Sequence, residues 1–438
     1  MKTLIRCSIF SMLILPCSFV QAEDLLDVYQ LAIRNDPVFL AQQASLQAEL
    51  EKRVQASAQL YRPIVSFTAS VDENYQDIES KFGGGSSHFT NKGYSLNLSQ
   101  PIYHRDRFVS LEQADDQIRE AQLDLDTAEQ ELMLRTAERY FAILSAKDNL
   151  TFTQAEKASL KKQLEQSNQR FEVGLSAITD VQEAKAGYDL AAAREIQALN
   201  SLEDAEGAMH EISGQYPQSL ASLSENIPRS RPEPDNIDTW TQSSLNNNLQ
   251  LKSQLISTAI AEKEVRRQDA GHYPTLDIVG NHGFRSTGGQ FGATDVDFSK
   301  IGVELNFPIY EGGQVNSRTR EALHRHEEAL QKLEQVRRSV ERKSREAFRG
   351  VLSGISQIKA FKQAVLSSET ALTATRTGYK VGTRTTVDVV TAEQEFFRAR
   401  RDYSQARYEY ILDTLRLKQA SGKLSPEDIK QINSLLKK

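Results

Sequence analysis

Apolar and polar residues alternate at period two in four stretches of the chain. Val65, Phe67, Ala69 and Val71 alternate with Ser66, Thr68 and Ser70, and Tyr94, Leu96 and Leu98 alternate with Ser95, Asn97 and Ser99. Farther on, Leu276 and Ile278 flank Asp277, and Ile301, Val303, Leu305 and Phe307 alternate with Gly302, Glu304 and Asn306. This pattern predicts strands with one apolar and one polar face, each about ten residues long, enough to cross a bilayer at a tilt. The Gly-rich segments ESKFGGGSSHFTNKG and RSTGGQFGATDVDFSK are expected to connect them as loops.

A different period fills the rest. From Arg105 to Arg170 there is neither Gly nor Pro, which predicts a helix of roughly 100 Å at 1.5 Å per residue. Its apolar residues recur in sevens, Leu111, Ile118, Leu125 and Leu132 beside Ala114, Ala121 and Ala128, a seam of large and small side chains that lets helices approach closely. A second Pro-free run, Asn316 to Thr377, carries Leu333, Val340 and Ala347 beside Ala329 and Val336, with Gly350 and Gly354 expected to weaken its middle. Shorter helices are expected over about 24–60, 179–213, 238–270 and 386–421, two of them stacked end to end beside each long one.

The two halves match. Val173-Gly174 and Val381-Gly382 sit in related phrases, FEVGLSAITDVQ and YKVGTRTTVDVV, 208 positions apart. Glu51, Lys52 and Val54 align with Glu262, Lys263 and Val265, Pro63 with Pro274, Pro101-Ile102-Tyr103 with Pro308-Ile309-Tyr310, and Ser213-Gly214 with Ser421-Gly422. Matches in preserved order imply an internal duplication. Each repeat, 23–214 and 238–422, reads helix, strand, strand, helix, helix; a Pro-containing linker over 215–237 joins them, and a tail covers 423–438.

Residues 1–22 read as a secretory signal: Lys2 and Arg6, an apolar run from Ile9 to Val20, then Val20-Gln21-Ala22. Both cysteines, Cys7 and Cys17, lie inside it, so the mature chain has no disulfide or thiol-based metal site. Loss of Lys2 and Arg6 takes the net charge from -6 to -8, which disfavours nucleic acid as a partner. No run of 18 apolar residues follows, which excludes a spanning helix but leaves a spanning β-barrel open. Four strands cannot close a barrel, and lipid tolerates no open sheet edge, so a barrel must be shared: eight strands from two copies or twelve from three.

No phosphate-binding Gly-x-x-x-x-Gly-Lys or His-Glu-x-x-His motif occurs. The histidines of HRHEE, His324 to Glu328, are two apart and point to different helix faces, and RRSVERKSR, Arg337 to Arg345, reads as a solvated charged surface. An enzyme and a cofactor are therefore not expected. The repeated phrases need more explanation: Gly174 and Gly382 suit helix ends, and a Ser or Thr with a later Asp suits the start of the next helix. Tyr379, Arg384, Asp180 and Asp388 exceed what a turn requires. Both turns at one end of a tube would crowd these groups into one ring.

The phrases GYKVGTRTTVDVV and RFEVGLSAITDVQ, the strand ends QPIY and FPIY, and the duplicated layout resemble the TolC family of outer-membrane efflux and type I secretion channels, over nearly the whole mature chain. The resemblance implies an α+β membrane protein: a homotrimer with a 12-stranded transmembrane β-barrel, four strands per chain, in outer-membrane lipid, continued by a long periplasmic α-helical barrel. It also implies an adaptor (membrane fusion) protein and an inner-membrane transporter of ABC, RND or MFS type as partners. Asp180 is implied to accept from Tyr379 and to pair with Arg384, beside Thr179, as a periplasmic gate. Asp388 would form an acidic ring at the constriction, and the turns Val173-Gly174-Leu175 and Val381-Gly382-Thr383 would meet the adaptor. Thr391 stands where close relatives of the best-known member carry a second aspartate, so a double acidic ring is not implied. A trimeric coiled-coil surface adhesin anchored by a barrel would gather its strands at one end of the chain, and a soluble periplasmic adaptor would lack two lipid-facing hairpins.

Overall fold

The computed structural model describes residues 23–79, 81, 84–289 and 292–437, so the expected signal segment with Cys7 and Cys17 lies outside the described residues. The first half runs α1 (Leu25–Asn35), α2 (Pro37–Tyr61), β1 (Ile64–Ile78), β2 (Gly85–Tyr103), α3 (Arg105–Glu172) and α4 (Ile178–Ser213). After β3 (Ser222–Leu223), the second half repeats the order with α5 (Ile237–Asn247), α6 (Leu249–Asp269), β4 (Thr275–Thr287), β5 (Thr294–Asn306), α7 (Gln314–Lys380) and α8 (Thr386–Ala420). The chain closes with α9 (Pro426–Asn433) and β6 (Leu436–Lys437).

Two single helices expected from the sequence are each broken in two. Asp36 ends α1 and caps α2 by accepting from the Phe39 N–H at 2.8 Å, with Pro37 at the first helical position, where its missing N–H does no harm. Asn248 does the same for α6, accepting from Leu251 N–H at 3.1 Å. α2 and α4 lie along α3, and α6 and α8 along α7. The long helices hold 68 and 67 residues, each about 100 Å long.

α7 continues unbroken through Gly350 and Gly354. A Cβ at Gly354 would stand 3.3 Å from Tyr410 Cβ, and one at Gly350 would stand 2.9 Å from an Asp413 carboxylate oxygen. The missing side chains admit α8.

The four long strands form one antiparallel sheet in the order β1-β2-β4-β5, so both hairpins join through β2 and β4 and the outer edges of β1 and β5 carry no partner among the described residues. The strands hold 15, 19, 13 and 13 residues, longer than the expected ten, and the connections shrink accordingly. The backbone ladder continues through polar positions such as Asn74–Phe89 and Gln76–Ser87, where apolar alternation has already stopped. Rows across the sheet place Val65, Leu98, Gly280 and Ile301 together, then Phe67, Leu96, His282 and Ser299, then Ala69, Tyr94, Phe284 and Asp297. On the other face Ser66, Asn97, Asn281 and Lys300 form one row, with Thr68, Ser95, Gly283 and Phe298 next to it. Val65, Phe67, Val71, Ile301, Val303 and Leu305 are each at least 60% exposed, so the apolar face is uncovered within one chain.

The largest core lies midway along the long helices, where Leu132, Tyr140, Phe141 and Ile143 of α3 meet Leu25 and Val28 of α1 and Ile411 and Leu415 of α8. Linker and tail complete it: β3 pairs with β6, and Leu223, Ile227, Leu424, Ile429 and Ile432 bury against the helices. The Tyr140 hydroxyl donates to the Ala221 carbonyl at 2.8 Å, tying the linker to α3.

Candidate functional site

The two repeated phrases form matching turns, from α3 to α4 and from α7 to α8. Gly174 and Gly382 adopt φ of 73° and 79°, the left-handed region in which any side chain strains the backbone. The next residue closes each turn: Leu175 N–H donates to the Arg170 carbonyl at 2.8 Å and Thr383 N–H to the Gly378 carbonyl at 2.9 Å, a six-to-one bond that satisfies a last-turn carbonyl. Val173, Leu175 and Val381 are each more than two-thirds exposed, an apolar tip with no cover within the chain.

The helices that follow start differently. Thr385 caps α8 with a full capping box: its hydroxyl accepts from Asp388 N–H at 3.2 Å, and Asp388 Oδ2 accepts from Thr385 N–H at 2.9 Å and from its hydroxyl at 3.0 Å. These bonds, with Arg384 nearby, hold the Asp388 carboxyl below the usual aspartate range. The matching cap of α4 is Ala177, which has no side-chain oxygen, contrary to the expected Ser or Thr opening of both helices. Asp180, the counterpart of Asp388, makes no side-chain hydrogen bond or ion pair among the described residues. The same holds for Thr179 and Arg384, so one chain does not bring these three into contact by hydrogen bond or ion pair.

Tyr379 is buried with its hydroxyl unpartnered, and the Arg170 guanidinium lies over its ring at 5.1 Å from the centroid. Sequence reasoning missed Arg170, although it opens the quoted first phrase; its counterpart in the second repeat is Gly378, so the duplication gave no signal. Arg376 on α7 binds Glu393 of α8 at 2.7 Å and Ser159 of α3 at 2.7 Å. Glu156, fully buried, takes Arg194 of α4 on one oxygen at 2.9 Å and Arg401 of α8 on the other at 3.0 Å. These contacts join the α3/α4 hairpin to the α7/α8 hairpin.

Buried polar atoms without a partner gather at this end. Gln163, Ser167, Arg170, Tyr379, Thr386 and Glu393 contribute six of the ten found among the described residues. Each such atom costs about 1–3 kcal/mol of lost hydration. The packing toward the tips therefore mixes buried apolar side chains such as Leu160, Leu372 and Val389 with polar atoms that are incompletely bonded, in contrast to the core midway along the helices.

The family profile described as outer membrane efflux protein matches residues 28–215 and 240–423. The chain belongs to the outer membrane efflux protein family. The outer membrane protein TolC of Vibrio cholerae is 37% identical over 424 residues, covering 96% of this chain and 95% of that protein. The alkaline protease secretion protein AprF of Pseudomonas aeruginosa is 27% identical over 420 residues, covering 93% and 86%. Among solved structures, the Campylobacter jejuni CmeC outer membrane channel matches with a TM-score of 0.77 at 18% identity over 95% of this chain and 90% of that one, a likeness of fold. The efflux-protein match spans both halves, including the turns, the sheet and the caps of α2 and α6.

Proposed function

We propose that this chain is one third of a passive exit duct in the outer membrane of a Gram-negative bacterium. Three copies contribute four strands each to a 12-stranded barrel in lipid, and their helices continue as an α-helical barrel into the periplasm. The observation that carries this reading is the single sheet with one apolar face, one polar face and two open edges, which neither water nor lipid tolerates in an isolated chain. The relationship to TolC and AprF supports a role in expelling small toxic compounds, secreted proteins or both, from an inner-membrane transporter of ABC, RND or MFS type through an adaptor. The exposed Val173, Leu175 and Val381 with Gly174, Gly382 and Thr383 suit the adaptor contact.

The tip residues form the periplasmic gate. Among the described residues Tyr379 offers a buried donor with no acceptor, and Asp180 an acceptor with no donor, so a ring of three copies has unsatisfied groups to join. Arg384 pairs with Asp180, beside Thr179, at the same ring. Each water-exposed ion pair contributes about 0–1 kcal/mol, so three copies hold a threshold of a few kcal/mol, within reach of adaptor binding. Arg384→Glu or Tyr379→Phe is expected to raise single-channel conductance in planar bilayers; wild-type conductance in both variants would rule out the gate.

A further inference from the structure

Charged residues on the polar face of the sheet follow a simple order. At the end nearest the helices Asp277 faces Glu304 across the β4–β5 pair, and toward the hairpin loops Asp72 stands opposite Asn91. Between them lie four rows, and the only charges in those rows are Lys300, beside Asn281, and Arg285, beside Val296. The two are four positions apart along the ladder, roughly 14 Å. Both are exposed and neither forms an ion pair or a side-chain hydrogen bond among the described residues. Their row neighbours are Ser66, Asn97 and Asn281 for Lys300, and Ser70, Gly93 and Val296 for Arg285. No carboxylate in these rows neutralises either cation.

The row between them keeps the wall low. The Phe298 ring lies so close over Gly283 that a Cβ there would meet its tip at 2.9 Å, so the aromatic covers the glycine. Lys300 and Arg285 are then the longest polar side chains on this stretch of the wall.

We propose that Lys300 and Arg285 form a basic belt on the inner wall of the assembled barrel, a binding site for multivalent anions such as polyphosphates. The inference rests on the duct reading, because lipid takes the apolar face and leaves the polar face to the lumen. Three chains place six positive charges on two levels of the pore separated by the Gly283/Phe298 row, and rings of cationic side chains favour anions in channels. The duct then carries opposite signs at its two ends: carboxylates at the helical tips and cations in the barrel, on a chain whose net charge is -6. An anion entering from the hairpin-loop side passes the Asp72 level and then meets the belt before the Asp277 and Glu304 carboxylates and the helical tips deeper in the duct.

Inorganic tripolyphosphate added to one chamber of a planar bilayer tests this on the intact channel. Block is expected from the hairpin-loop side at concentrations about tenfold lower than from the helical side, and to weaken in high salt. The double variant Lys300→Gln with Arg285→Gln is expected to raise the half-blocking concentration by about tenfold or more. Lys92→Gln removes a charge from the opposite face, in the row of Val71 and Ser286, and is expected to leave block unchanged. Conducting channels that ignore tripolyphosphate, that keep wild-type block in the double variant, or that lose it equally in Lys92→Gln would overturn the belt while leaving the duct intact. A wild-type protein that forms no channel would overturn both.

Discussion

Asp180 and Asp388 occupy matching positions in the two halves, and the residue three places earlier decides what each carboxylate does. Behind Asp388 stands Thr385, whose N–H and hydroxyl both hold Oδ2, leaving no hydrogen bond to Oδ1 among the described residues. Behind Asp180 stands Ala177, which offers no hydroxyl, and that carboxylate has no hydrogen-bond or ion-pair partner among the described residues. Asp388 is thus held in place with one oxygen available, as an acidic ring at a constriction requires. Asp388→Ala is expected to weaken block by multivalent cations in bilayer recordings, whereas Thr385→Ala keeps the charge and is expected to keep most of the block. The pH dependence follows from the sign of the shift: a depressed folded pKa keeps the carboxylate charged and the cap closed above the ordinary aspartate value of about 3.9, and both are lost only as pH falls through the lower folded value. Cation block that already fades above that ordinary value, or that survives Asp388→Ala, would remove Asp388 from the constriction.

At the scale of elements, two glycines of α7, Gly350 and Gly354, lie directly against Asp413 and Tyr410 of α8. Ordinarily a mid-helix glycine replaced by alanine gains up to about 1 kcal/mol, provided there is room. Gly207 on α4 has no atom within 4 Å of a built Cβ, so Gly207→Ala is expected to raise the thermal midpoint in detergent. Gly354→Leu drives atoms into Tyr410, and the strain is expected to cost about 1–3 kcal/mol and lower that midpoint. Circular dichroism melts of both variants check the contrast, and equal shifts would mean that the α7–α8 contact is not tight. The strands and long helices were legible because burial repeats at a fixed period, two or seven, that survives without tertiary context. The strand ends were not, since backbone pairing extends β1 and β2 through Asp72, Asn74 and Gln76, where no apolar residue reports it. Nor were the breaks at Asp36 and Asn248, each made by a single capping residue. At the tips, Gly174, Gly382, Tyr379 and Asp388 stood out as repeated residues, but the Arg170–Tyr379 stack and the Glu156 bridge join side chains hundreds of positions apart with no sequence period to announce them.

At the scale of the whole molecule, the unresolved element in one chain is the pair of sheet edges. β1 and β5 are separated by two strands, roughly 14 Å at the spacing of neighbouring strands, while a disulfide needs Cα atoms within about 7 Å. A bond between a cysteine in β1 and one in β5 must therefore join two copies. Cys7 and Cys17 are the two cysteines of the sequence, so with both replaced by Ser the chain offers no competing thiol. Phe67→Cys combined in turn with Ser299→Cys, Ile301→Cys or Val303→Cys samples three registers on the apolar face, because closing a barrel staggers one copy against the next. In outer membranes treated with a mild oxidant, one combination is expected to give a ladder of one, two and three chains on non-reducing gels, collapsing to one band on reduction. Each single cysteine alone is expected to stay monomeric. A ladder that stops at two chains would make the barrel eight-stranded, and one that continues past three would mean that the edges pair openly instead of closing, which lipid does not permit.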